Sequence, residues 1–148
     1  MAFDVERLLQ LWTGSLPDDD EAAAASFRAL YVDPVVVNGT PLAARDLVTR
    51  ARGMRQALEG LEEEVLAVAD AGSTVALAFR LTGRQVGQLE TPVGRLLPTG
   101  RPIDLRVIDV LTLTDGRISS IWMVADWATA LTTAGVLRLS GAEPATGR

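Results

Sequence analysis

The chain has no cysteine and no histidine, and its 14 basic residues are all arginine, so lysine is absent as well. Each absence removes a chemistry. Without Cys there is no disulfide framework and no thiolate nucleophile. Without His there is no Ser–His or Cys–His arrangement, and without either there is no zinc centre of the usual kind. Without Lys there is no Schiff base and no phosphate-loop lysine. A metal would have to be a hard ion held by carboxylates and carbonyls. No loop of clustered Asp and Glu supplies such a set, so neither metal nor cofactor is expected. Proton transfer near neutral pH falls to Asp, Glu or the single tyrosine, Tyr31.

Long apolar runs are missing too. No segment approaches the ~18 unbroken apolar residues of a membrane span. Acids come early (Asp4, Glu6) and no signal-peptide pattern is present. A cytoplasmic protein without membrane contact is expected. A net charge of −5 with scattered Arg argues against a nucleic-acid partner. What remains is 148 residues, 48% of them hydrophobic, a length that buries roughly two-thirds of its unfolded surface in one domain. That domain is expected over 1–137, with 138–148 a flexible tail.

Val5, Leu8, Leu9 and Trp12 form the stripe of an amphipathic helix ended by Gly14 and Pro17. Asp18 to Glu21 open a second helix before an alanine run, and Pro34 is read as its end. Val35–Val37 is a short strand and Gly39-Thr40-Pro41 a turn. Leu42 to Leu61 reads as one long helix with Gly60 as its C-cap. The period then changes to two: strands are expected over 65–70, 75–82, 84–93, 102–114 and 118–124, with Asp115-Gly116 as a hairpin turn. A helix from Asp126 to Leu137 closes the domain. Helices segregated from hairpin-linked strands mean α+β, here a curved antiparallel sheet wrapped around a long helix as a cone.

Polar residues that break this pattern are the functional candidates. In 103–113 the odd positions are Ile, Leu, Val, Asp109, Leu and Leu, and alternation puts all six on one face. A carboxylate on an apolar face is costly unless it is paired, hydrogen-bonded or protonated. The alternative for Asp109 is a structural carboxylate bonded to an Arg or a backbone amide. Asp126 ends the even file Ile118, Ser120, Trp122, Val124 and opens the last helix, so it is either functional or an N-cap. Asp33 precedes Pro34, where a helix feeds a strand, and a simple turn role competes. Asn38 follows three valines, and its competing role is the start of the Asn-Gly turn. Tyr31, Phe79, Trp122 and Trp127 read as core, with pocket lining as the second reading. Arg80 and Arg106 read as solvent-facing or as counter-charges. Carboxyls in an apolar cavity have raised pKa values, so one can stay neutral and donate while another stays ionised as a base.

Tyr31-Val32-Asp33-Pro34, Val37-Asn38-Gly39, Leu97-Pro98-Thr99-Gly100-Arg101, Val107-Ile108-Asp109-Val110, Asp115-Gly116-Arg117-Ile118 and Trp122-Met123-Val124-Ala125-Asp126 occur in that order. The set resembles the SnoaL-like polyketide cyclase group of the nuclear-transport-factor-2-like superfamily, over roughly 5–137. The resemblance implies a cone-shaped α+β barrel closed by its N-terminal helices, a deep apolar pocket, a hydrophobic small-molecule substrate and a homodimer formed through the sheet. In cyclases of the group an Asp in a Trp-x-x-x-Asp segment is the acid–base of an aldol closure, and Asp126 matches it. The superfamily's ketosteroid isomerases place a base at an Asp-Pro, matched by Asp33, and a protonated oxyanion-stabilising Asp in a strand, matched by Asp109. The chain departs from these relatives in having no pocket His, with Gln85 where one is common. It also lacks an oxyanion Tyr in the first helix, where Trp12 is the nearest aromatic.

The reading that follows is a cofactor-independent cyclase or isomerase of a polyketide-like or carbonyl substrate. Asp126 moves the proton, Asp109 stabilises the enolate oxygen while neutral, and Asp33 is a second base or a polarising group. Asn38, Tyr31, Trp122, Phe79 and Trp12 orient the substrate. The alternatives are an epoxide-opening ether cyclase or epoxide hydrolase, and a non-catalytic binding or assembly module.

Overall fold

The protein is described by a computed structural model, which describes residues 2–141. Helices α1 (Val5–Thr13) and α2 (Asp20–Arg28) precede strands β1 (Tyr31–Val37) and β2 (Thr40–Leu42). Helix α3 (Ala44–Ala57) leads into β3 (Leu58–Asp70) and β4 (Thr74–Gln85), followed by the short strands β5 (Leu89–Thr91) and β6 (Gly94–Leu96). Strands β7 (Pro102–Thr114) and β8 (Arg117–Ala125) and helix α4 (Trp127–Thr133) complete the chain. This is the expected α+β architecture with a curved sheet.

Acids start three of the helices. The Asp4, Asp19 and Asp126 carboxylates accept backbone N–H bonds from Arg7, Ala22 and Thr129 at 2.9, 2.9 and 3.0 Å, occupying N–H groups that the first helical turn leaves unpaired. The six-stranded sheet runs β2-β1-β8-β7-β4-β3 and is open, with β2 and β3 at its edges. The sheet, expected to be antiparallel throughout, is mixed. Strand β1 pairs with β8 in parallel, because the chain between them, α3 included, returns it to the same direction. One core joins the two layers, from Leu8, Phe27, Leu47 and Ala51 on the helices to Leu77, Phe79, Leu105, Val107 and Leu111 on the sheet.

Several boundaries differ from the sequence reading, each for a local reason. Helix α2 ends at Arg28, and Pro34 lies inside β1. Thr40–Leu42 folds back on β1 through the Asn38-Gly39 turn, where both residues have positive φ (49° and 84°), so α3 begins only at Ala44. It ends at Ala57 because Leu58 is extended and pairs with Gln85. Gly60 is therefore no cap. It sits at φ 67° in a bulge, where Gly60 and Leu61 stand against a single partner residue, Gly83. The expected strand over 84–93 is instead the end of β4 followed by the β5–β6 hairpin. The last helix stops at Thr133, not Leu137. The tail expected over 138–148 lies outside the described residues from 142 onward.

A further bulge resets the phase of β8. Thr112 pairs with Ser120 but Leu113 pairs with Ile118, which leaves Ser119 without an opposite residue. The inward file consequently runs from Ile118 to Ile121, both buried, and Trp122 turns outward.

Candidate active site

Asp109 lies at the middle of β7, between Leu77 of β4 and Met123 of β8. Burial along β7 alternates without a break from Ile103 to Leu111, so Asp109 belongs to the inward file. It is 8% exposed, and its Oδ1 is buried with no hydrogen-bond partner. Among the described residues neither an Arg nor a backbone amide meets it. Burial alone pushes its pKa up to about 7, because removing a carboxylate from water disfavours its charged form.

Tyr31 opens β1 and is 2% exposed. Its hydroxyl accepts a hydrogen bond of 2.8 Å from the Trp12 indole N–H. Phe27 packs on both rings, edge-on to Trp12 at 5.3 Å and tilted to Tyr31 at 5.8 Å. Burial raises the Tyr31 pKa, the Trp12 bond opposes that rise, and the charge of Asp109 adds to it. Phe79 shares this face: it is buried and stands opposite Val107, two residues before Asp109 on β7. Three of the sequence candidates, Asp109, Tyr31 and Phe79, are thus buried inside the molecule, and Trp12 is bonded to Tyr31.

The other candidates lie elsewhere. Asp33 accepts from Arg28 Nε at 2.9 Å and from the Ala44 N–H at 3.1 Å. It ties α2 to the start of α3, and the Arg28 guanidinium holds its carboxyl below the ordinary range. Asp126 is exposed and caps α4, and hydrogen bonds from Thr129 lower its pKa. Asn38 exchanges two hydrogen bonds with the Met123 backbone, at 2.8 and 3.3 Å, which fastens the end of β1 to β8. Trp122 is 61% exposed on the outer face of the sheet, opposite Val110. Arg80 forms a two-point pair with Asp104, 2.8 Å at each contact, and so acts as a counter-charge.

Sequence reasoning met Gln85 only as a departure from the relatives' pocket His and gave it no role, yet it is fully buried. Its amide nitrogen donates to the carbonyls of Gly87, Leu96 and Leu97, and its oxygen accepts from the Thr99 N–H and hydroxyl. It gathers the 86–101 connection against the end of β4. The inward file of β4 (Val75, Leu77, Phe79), carried to the end of the strand, would have found it. An open cleft of about 500 Å³ lies over α2 and α3, lined by Asp20, Arg45, Thr49, Arg52 and Gln56. Its arginines are already paired, Arg45 with Glu21 and Arg52 with Asp20, and Asp109 is not among its walls. Among the described residues no three acidic side chains gather as a metal set, and no helix is long and apolar enough to cross a membrane.

A family model described as SnoaL-like polyketide cyclase matches residues 6–133. No curated protein sequence matches significantly. Solved structures do. TsrD from Streptomyces laurentii is 18% identical, the match covering 91% of this chain and 99% of that one at a TM-score of 0.70. IdmH from Streptomyces antibioticus is 20% identical over 88% and 97%, at 0.64. A SnoaL-like polyketide cyclase from Agrobacterium tumefaciens is 15% identical over 87% and 91%, at 0.67. At these identities the structural likeness is one of fold.

The buried carboxyl has a measurable cost. Its folded pKa of about 7 lies above the unfolded ~3.9. Between those values the native state holds more protons than the unfolded chain, so this group's stabilising contribution is complete below the lower value and lost as pH rises through the upper one. Urea unfolding should show wild-type stability falling by up to roughly 4 kcal/mol across that window relative to Asp109→Asn, which has no such proton. Parallel pH profiles for the two proteins would show that Asp109 is an ordinary, ionised carboxylate.

Proposed function

The chain belongs to the SnoaL-like polyketide cyclase family, and we propose that it is a cofactor-independent enzyme that enolises a ketone of a hydrophobic, polyketide-like substrate, the first half of an aldol ring closure. The observation that carries this is the unpartnered, buried carboxyl of Asp109 in the same interior as the buried Tyr31. Buried polar groups without partners are rare, and a ligand oxygen would give both of them a hydrogen bond.

In this reading neutral Asp109 and the Tyr31 hydroxyl donate to the carbonyl oxygen and stabilise the charge that grows on it as the enol forms. A neutral carboxyl also has a second oxygen that can accept. Asp109 can therefore pass its proton to the ketone oxygen while its other oxygen takes the proton from the adjacent carbon, which leaves the acid regenerated and the substrate enolised. A group whose pKa lies near the working pH suits such transfers. The acid–base role that the family resemblance gives to Asp126 is assigned here to Asp109. Asp126 and Asp33 are ionised by their hydrogen bonds and hold α4 and α3. Phe79 supplies apolar wall.

The test is deuterium uptake at the carbon beside the carbonyl of α-tetralone and related cyclic aryl ketones in deuterium oxide. Wild type should accelerate it, with kcat/KM falling as pH rises through about 7, because the neutral form of Asp109 is the active one. Asp109→Leu should lose about 10³-fold, and Tyr31→Phe about 10-fold to 10²-fold. Asp126→Asn and Asp33→Asn should stay within about tenfold of wild type. A folded Asp126→Asn that is inactive beside an active Asp109→Leu would reverse the assignment.

We also propose that the outer face of the sheet is covered by a second copy of the chain. Trp122 and Val124 on β8 stand opposite Val110 and Ile108 on β7, and all four are exposed. A contiguous apolar patch on the outside of a sheet is an interface signature. Sedimentation should give a dimer for wild type and a monomer for Trp122→Glu. A wild-type monomer, or a dimer indifferent to that change, would reject this interface.

A further inference from the structure

We propose that Trp12 is a positioning residue: its indole N–H occupies the acceptor side of the Tyr31 hydroxyl and so leaves that hydroxyl's own proton to be donated elsewhere in the buried interior. The inference rests on the reading of Tyr31 as a hydrogen-bond donor to substrate.

A phenol oxygen both donates and accepts, and its proton rotates to suit its neighbours. An indole N–H can only donate. The 2.8 Å contact from Trp12 Nε1 to Tyr31 Oη therefore fixes which partner gives. The phenol has to be the acceptor in this bond, and its own proton is left for another group. Among the described residues no group receives it. The contact joins α1 to β1 across 19 residues of sequence, and fully buried Phe27 clamps the two rings from one side. Neither ring is free to swing. A donor set before the substrate arrives needs no reorientation during the reaction, which is how a fixed dipole stabilises developing charge. The Trp12 bond also polarises the phenol, so its remaining proton is a better donor than that of an isolated tyrosine. Packing alone would place a tryptophan here but would not call for its nitrogen to face Tyr31.

Tyr31 is the only tyrosine in the chain, so tyrosine isotope-labelled at Cζ gives one NMR resonance, and it reports on this hydroxyl in the ligand-free protein. In Trp12→Phe, which keeps a ring against Phe27 but has no N–H, that resonance should shift. Benzothienylalanine at position 12 keeps the bicyclic outline and also lacks the N–H, and it should give the same shift without the packing change. Ketone deuteration by either variant should lose about tenfold in kcat with KM little altered. A Tyr31 resonance unchanged in both variants would overturn the inference, even if both were less stable. A shifted resonance with deuteration intact in both variants and in Tyr31→Phe would instead overturn the enolisation reading, leaving the hydroxyl's orientation established.

Discussion

A single carboxyl on the inward file of β7 sets the terms for the rest of the molecule. The strand is central, bonded on both edges to β4 and β8, so Asp109 cannot turn outward without breaking two ladders. Its neighbours along the file are Val107 and Leu111, and across the strands Leu77 and Met123. None of these offers a hydrogen bond from its side chain. The fold therefore keeps the group largely protonated near neutral pH or bears the cost of an isolated buried charge. Among the described residues Tyr31 is a second buried proton donor whose titration burial raises.

The other aspartates show how much environment decides. Asp126 sits at a helix start and Asp33, within β1, reaches one with its side chain; backbone N–H groups there and, for Asp33, Arg28 favour the ionised form. The three carboxyls share a side chain and differ only in what surrounds it. Chemistry that needs a neutral acid separates from architecture that needs an anion on that basis. The arginines follow the same division: Arg28, Arg45, Arg52 and Arg80 are engaged with acids on the surface, and none reaches Asp109.

Much of this was legible in the sequence, for a definite reason. Period-two alternation survives undisturbed in β7, so counting residues placed Asp109 correctly among aliphatics. The same counting misplaced Trp122, because the bulge at Ser119 shifts β8 by one residue and sends every later side chain to the opposite face. Nothing in Ile118-Ser119-Ser120-Ile121 announces that bulge. Gly60 was misjudged for a related reason: a positive φ serves a helix cap and a strand bulge equally, and only the pairing with β4 tells them apart. The Trp12–Tyr31 bond lay beyond sequence reasoning because it links residues that only the docking of α1 brings together.

The most direct measurement is the titration of the Asp109 carboxyl itself, by isotope-edited NMR of its side-chain carbon with Asp109→Asn to identify the resonance. The account predicts a midpoint near 7, with the Asp33 and Asp126 carboxyls titrating below the ordinary carboxylate range. A midpoint at or below the unperturbed ~3.9 would mean that Asp109 is solvated or paired in solution. The neutral-acid role at the centre of the proposed chemistry would then be contradicted.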